Sequence, residues 1–252
     1  MSRLHLPSLI CLLVALNACS GTTASKRLDR EQSGNTQLQL GVRYLSMDKL
    51  KYALKHLQNA QQLIPNNVEV HNALGYLHER LQQPDQALSF YRQALSLEPD
   101  NLSALNNLGR FLCGQKSFTE GLETLTQAYH DPMNNRRWIT SANIGYCHLD
   151  NGDFNQAQSY LQQALQFRPD YAPALLAMQR VHYQHQEYWA AKGFLDRYLA
   201  VGKHTPQSLW IAYQCERALG HAKAARNLRQ QLINQFPLSS EATELLTQDA
   251  NH

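Results

Sequence analysis

Much of what marks an enzyme or a membrane-spanning chain is missing from this sequence of 252 residues. It holds no G-x-S-x-G elbow, no glycine-rich phosphate loop and no H-E-x-x-H pair. Nothing therefore supports a serine hydrolase, a P-loop nucleotidase or a zinc protease. No convergent polar set points to a metal, a cofactor or a small-molecule substrate. The strongest apolar run, residues 9–16, is too short to span a bilayer. Glycine is scarce, 12 residues in all. Charge is nearly balanced, +3 from 23 Lys and Arg against 20 Asp and Glu. It is also scattered, without a Lys/Arg block or basic stripe, which argues against nucleic acid as a partner.

What is present begins with a leader. Arg3 and His5 precede the apolar run, which ends in Leu16-Asn17-Ala18-Cys19. A charged start, a short apolar core and a small residue before Cys read as a signal peptide over residues 1–18. Those four residues resemble a bacterial lipobox, which implies that Cys19 carries lipid and heads the mature chain. Ser20 follows where Asp would imply inner-membrane retention, so the resemblance implies the outer membrane. Each buried CH₂ of the acyl chains adds about 0.8 kcal/mol to anchoring. A signal peptide cut nearby, or a buried N-terminal helix, is the competing reading. Residues 19–33 carry Gly, Thr, Ser and mixed charge with little to bury, and read as a flexible tether.

From Gly34 onward the pattern is helical and recurs. Leu40-Gly41, Ala53, Leu57, Ala60 and Pro65 return as Leu74-Gly75, Ala87, Tyr91, Ala94 and Pro99. They return again as Leu108-Gly109, Gly121, Leu125 and Ala128, and as Ile144-Gly145, Ala157, Leu161, Ala164 and Pro169. Two weaker copies start at Ala172 and Pro206, and the third copy is longer, its extra residues falling within 131–137. These units match the tetratricopeptide repeat, a helix–turn–helix of about 34 residues. The expected fold is all-α: a right-handed superhelix of about six such units over 34–237. A Ser-capped helix within 238–252 is expected to cover the last of them. The Gly of each first helix and the Ala pair of each second helix are expected where helices approach closely. Asp153, Pro84 and Gly220 are expected in turns.

In such a unit the fifth, ninth and twelfth residues of the first helix face the concave side. They are Leu38, Val42 and Leu45 in the first repeat, and Asn72, Tyr76 and Glu79 in the second. They are Asn106, Arg110 and Cys113 in the third, and Ala142, Tyr146 and Leu149 in the fourth. The first set is wholly apolar, which suggests a groove for a partner's apolar side chains, unless the tether folds back over it. Partner contacts are therefore expected from Leu38, Val42, Leu45, Tyr76, Asn106, Arg110 and Tyr146. Asn107 and Asn143 read as framework residues. Cys113 and Cys147, on first helices of adjacent repeats, are either bridged or two buried small hydrophobes. Cys215 reads as buried. His182 and His185 have a spacing that could hold a metal, but no third ligand lies nearby; they read as partly exposed helix positions.

The stretch Asn106-Asn107-Leu108-Gly109-Arg110-Phe111-Leu112-Cys113-Gly114-Gln115 resembles a signature of a known family. So do Asn143-Ile144-Gly145-Tyr146-Cys147 and Pro169-Asp170-Tyr171-Ala172-Pro173-Ala174-Leu175-Leu176. The family is that of the type IV pilus biogenesis and stability lipoproteins, which act as pilotins for the outer-membrane secretin. The resemblance implies a lipid-anchored, non-enzymatic protein on the periplasmic face of the outer membrane. It implies binding of the secretin subunit and promotion of its localisation and multimer assembly. The alternative is a general periplasmic scaffold for another envelope or secretion complex.

Overall fold

The computed structural model describes residues 10–250. The leader expected over 1–18 lies partly outside the described residues, and the side chain of Cys19 wholly so. Thirteen helices make up the described part, numbered in chain order. They form six antiparallel pairs: α1 (Ile10–Ser46) with α2 (Leu50–Leu63), α3 (Val68–Arg80) with α4 (Pro84–Leu97), and α5 (Leu102–Gly114) with α6 (Phe118–His130). The other three are α7 (Arg137–Asp150) with α8 (Phe154–Phe167), α9 (Ala172–Gln184) with α10 (Tyr188–Leu199), and α11 (Pro206–Ala218) with α12 (Ala222–Gln235). The helix α13 (Ser240–Ala250) follows. Among the described residues no helix is long and apolar enough to cross a membrane.

The turn inside each pair reveals the register. Asp48, Gln82, Lys116, Gly152, Gln186 and Gly220 all have positive φ, between 57° and 84°. Each is the fifteenth residue of its repeat, and the only departure from even spacing falls between Lys116 and Gly152, where the third unit is longer. In every turn the next backbone N–H donates back to the carbonyl five residues earlier, from Lys49 N to Tyr44 O at 2.9 Å through to His221 N to Glu216 O at 2.9 Å. This is the helix-ending bond of a left-handed C-terminal cap. Only two of the six positions are glycine, so four residues bear the left-handed strain in exchange for the reversal.

The periodic small residues mark close crossings. A Cβ added to Gly41, Gly75, Gly109 or Gly145 would lie 2.6–2.7 Å from the side chain of Leu57, Tyr91, Leu125 or Leu161 respectively. Those four large side chains are fully buried. Five of the second helices carry Ala at their common inner position: Ala53, Ala87, Ala157, Ala191 and Ala225. The third has Gly121 there, because the Cys113 Sγ stands 2.5 Å from where its Cβ would be. The fifth repeat departs from the pattern in a physically legible way. Gln179 replaces the glycine, is buried, and donates from Nε2 to Ser208 O at 3.1 Å. Tyr198 takes the second Ala position, its hydroxyl donates to Lys203 O at 2.7 Å, and its ring leaves room at residue 202 only for glycine.

The chain divides into two compact units between Asn107 and Leu108. In the first, Leu45, Ala53, Leu57, Ala60, Val70, Leu74 and Leu77 form one core between α1, α2 and α3. In the second, the largest core joins α7 to α10 through Leu161, Leu175, Met178 and Leu195, and reaches α11 at Ala212. Ser239 caps α13, accepting from Ala242 N at 3.1 Å, and Ala242 and Leu245 pack on Leu209 and Leu232.

Two expectations need correction. The tether of 19–33 is helical, a continuation of α1. Residues 25–33 are exposed throughout, so their helicity rests on good helix formers such as Lys26, Arg27, Leu28 and Glu31. Arg30 adds a bond from Nη2 to Gln62 O at 2.8 Å. The segment therefore runs out along α1 and does not fold back over its inner face. The second correction concerns His182, which is buried, not partly exposed. Its ring stacks on Phe194 with centroids 5.0 Å apart.

Candidate functional site

The first unit contains an open groove of about 960 Å³ between the first helices of its repeats. Its apolar lining comes from Leu38, Val42 and Leu45 on α1 and Ala73 on α3. Leu45 is only 5% exposed and serves the core more than the groove, whereas Val42 is 47% exposed and open to solvent. Leu38 is half-buried between them.

The polar lining is organised. Asn107 Nδ2 donates to Asn72 Oδ1 at 2.9 Å, joining α5 to α3 within this unit. Arg80 donates to Asp48 Oδ1 at 2.8 Å, which ties the end of α3 to the turn after α1. Tyr76 stands on the groove wall, with Gln39, Arg43 and Glu69 along the rim. The site thus offers an apolar strip edged by amide and cationic groups, a surface suited to an amphipathic segment of another chain. Glu79 turns away from it and accepts from the Tyr91 hydroxyl at 3.1 Å.

Four of the seven expected contact residues meet here: Leu38, Val42, Leu45 and Tyr76. The other three do not line this groove. Asn106 Nδ2 is turned back on its own helix, donating to Leu102 O at 2.8 Å. Arg110 lies in the second unit and is half-buried. Tyr146 lies there too, half-buried against the α7–α10 core, with its hydroxyl donating to Pro173 O at 2.7 Å. Burial pushes that hydroxyl far above the ordinary tyrosine range. Its neighbours in the same register, Ala142 and Leu149, are buried at 1% and 4%. Sequence reasoning passed over Gln39, Arg43 and Ala73, and read Asn107 as framework without placing it on the groove. They stand one residue after the positions used above, and a helical stripe is wide enough to include them.

Cys113 and Cys147 are joined by a disulfide, with Cα atoms 5.3 Å apart. It links α5 to α7 inside the second unit and packs with Leu125 and Ile144. Cys215 is buried and free, and burial raises its thiol to about 11.

The histidines that invited a metal reading have other partners. Four repeats carry the same ring stack between the eleventh and twenty-third residues: Tyr44 on His56, His78 on Phe90, His148 on Tyr160 and His182 on Phe194. The His182 Nδ1 is hydrogen-bonded to Glu187, and the His78 Nδ1 pairs with Gln83 Oε1 at 2.6 Å. Among the described residues no three His, Cys, Asp or Glu converge as a metal would need. The sixth repeat reverses the polarity. There Glu216 is 7% exposed and accepts from Lys192 and His221. Burial pushes its carboxyl up, but the two hydrogen bonds outweigh this and leave it below the usual range.

Comparison with known proteins agrees with the fold. The tetratricopeptide-repeat family matches residues 68–101 and 148–210, the first match coinciding with the second repeat. The type IV pilus assembly protein PilF of Pseudomonas aeruginosa is 27% identical over 237 residues, 92% of this chain and 94% of that protein. An uncharacterized protein of Haemophilus influenzae is 28% identical over 52% of this chain and 73% of its own length. Among solved structures, Pseudomonas aeruginosa PilF superposes with a TM-score of 0.72 at 26% identity, covering 87% of this chain and 99% of that one. PilW, a widely conserved type IV pilus biogenesis factor, superposes at 0.75 and 28%, covering 85% and 99%. The chain carries tetratricopeptide repeats, is homologous over nearly its whole length to PilF, a type IV pilus assembly protein, and is similar in structure to PilF and to PilW, a type IV pilus biogenesis factor.

Proposed function

We propose that this protein is a pilotin. Lipid on Cys19 anchors it to the periplasmic face of the outer membrane. Its first-repeat groove holds the type IV pilus secretin subunit until the multimer assembles there. The observation that carries this reading is Val42, an aliphatic side chain 47% exposed in a groove that also takes in Leu38 and Tyr76. It belongs to a chain homologous to pilus biogenesis factors. Exposed aliphatic surface in an ordered groove is what a partner's apolar face would cover. The function requires binding and release rather than chemistry, and the groove holds no arrangement of nucleophile and base that would suggest otherwise.

The test is co-purification of the secretin subunit with Val42→Asp. The substitution is expected to abolish secretin capture while the helical circular-dichroism signal stays as in the wild type. Full capture by a folded Val42→Asp protein would sink the groove assignment. Cells without the protein are expected to lose outer-membrane secretin multimer. Normal multimer in such cells would favour a scaffold for another envelope complex.

A further inference from the structure

We propose that the outer face of α2 is a docking surface for anionic lipid, which presents the groove away from the membrane. The sequence shows no basic block, yet forming the helix creates a local basic stripe. Lys51, Lys55, Gln58 and Gln62 lie at helical spacing and are all exposed, with exposed Lys49 just before the first turn. The opposite side of α2, carrying Ala53, Leu57 and Ala60, is buried in the core.

No acidic residue occurs from 49 to 68. Asp48 is already engaged by Arg80. Among the described residues no carboxylate pairs with Lys49, Lys51 or Lys55. Flanking the lysines are two side chains suited to the polar–apolar boundary of a bilayer: Tyr52, 56% exposed, and Met47, 52% exposed. Tyr52 stands with its ring stacked on Tyr44, centroids 5.3 Å apart, which holds it in place. Lysines with an exposed tyrosine are the composition that meets anionic headgroups, and clusters of this kind add to a lipid anchor.

A lipid surface is favoured over an acidic protein for two reasons. The apolar Met47 and the tyrosine would enter the interfacial layer, and lipid on Cys19, at the other end of the α1 helix against which α2 packs, would bring the chain to a membrane. The proposal rests in that respect on the anchor assigned above. The consequence for function is one of orientation. Every groove residue lies on α1, α3 or α5 and none on α2, so docking of α2 leaves the groove open to a periplasmic partner.

The test is amine footprinting of the full chain reconstituted into vesicles, with acylation of each lysine read by mass spectrometry. In vesicles of phosphatidylethanolamine and phosphatidylglycerol, labelling of Lys51 and Lys55 is expected to fall severalfold relative to phosphatidylcholine vesicles. High salt should restore it, since the attraction is screened. Lys223, on the equally acid-free α12, should react alike in both. Unchanged labelling of Lys51 and Lys55 would overturn the docking, as would equal protection of Lys223, which would indicate only general charge attraction. A chain that floats with neither vesicle overturns the anchor and the docking together. The secretin is absent from this assay, so its result is independent of the groove reading, which stands or falls on capture by Val42→Asp.

Discussion

The first and fourth repeats carry the same positions to opposite ends. In the first, the ninth residue is Val42, 47% exposed. In the fourth it is Tyr146, folded into a core and bonded through its hydroxyl to Pro173. The twelfth residues, Leu45 and Leu149, are buried in both. A repeat therefore specifies a direction for each side chain, but whether that direction leads to solvent depends on what the neighbouring repeat places there. The groove exists where nothing fills the space in front of Val42.

The strongest way to test this contrast is to loosen the fourth repeat. Cys113→Ser with Cys147→Ser removes a bridge that closes a 34-residue separation, and should cost roughly 3–4 kcal/mol. The check is chemical denaturation followed by circular dichroism. Unchanged stability would mean that the packing around Leu125 and Ile144 is sufficient alone. Truncating the two ninth residues sharpens the comparison directly. Tyr146→Ala should destabilise by about 2–4 kcal/mol, as a half-buried aromatic with a satisfied hydroxyl. Val42→Ala should cost under about 0.5 kcal/mol. Similar melting temperatures for the two variants would erase the distinction between filled and open positions.

Gly121→Ala offers a smaller and more diagnostic effect. The new methyl group would meet Cys113 Sγ, so a loss of about 1–3 kcal/mol is expected. In a Cys113→Ala background the loss should shrink but persist in part, because the backbone atoms Cys113 N and Gly109 O also stand 3.0 Å from the new methyl group, and a double-mutant cycle reads the share due to the sulfur. Acid should also separate the regions. His148 and His204 in the second unit are held below the ordinary histidine range by burial, His148 despite the nearby Asp153. Their folded-state values are depressed, so their contribution is present above about pH 6.5 and is lost as pH falls through the folded values. Glu216, also depressed, adds a further loss below about pH 4.5. Hydrogen exchange is expected to show α7, α8 and α11 losing protection before α2 and α3 between neutral pH and pH 4. Equal loss would contradict the assignment. A modest effect of opposite sign should come from Gln82→Gly, which relieves left-handed strain at φ 57° and should raise stability by about 0.5–1 kcal/mol, read as a melting shift.

Much of this was legible in one dimension. Gly75 and Tyr91 lie a fixed interval apart because a helix–turn–helix brings those two positions into contact, so a small residue there forecasts a large one opposite. Asn107 could be recognised as framework because its amide meets Asn72 across a single repeat interval. The exposed Val42 was legible as part of an apolar strip. Other features were not. The burial of His182, the filling of the space around Tyr146 and the helical course of 25–33 each depend on neighbours that periodicity does not name. Arg43 and Ala73 escaped notice because a groove takes the width of a helix face, not one line of it.

By itself, then, the sequence determined the period, the register of six helix pairs and the longer third unit, because each is set by contacts within a repeat at constant spacing. It also set Gly121 apart from the alanines of the other second helices. The tertiary structure decided which equivalent positions stay open, why Gly121 must be small, and that the scattered lysines of α2 share one face. Those outcomes follow from where separate helices place their atoms, and such distances are not written along the chain.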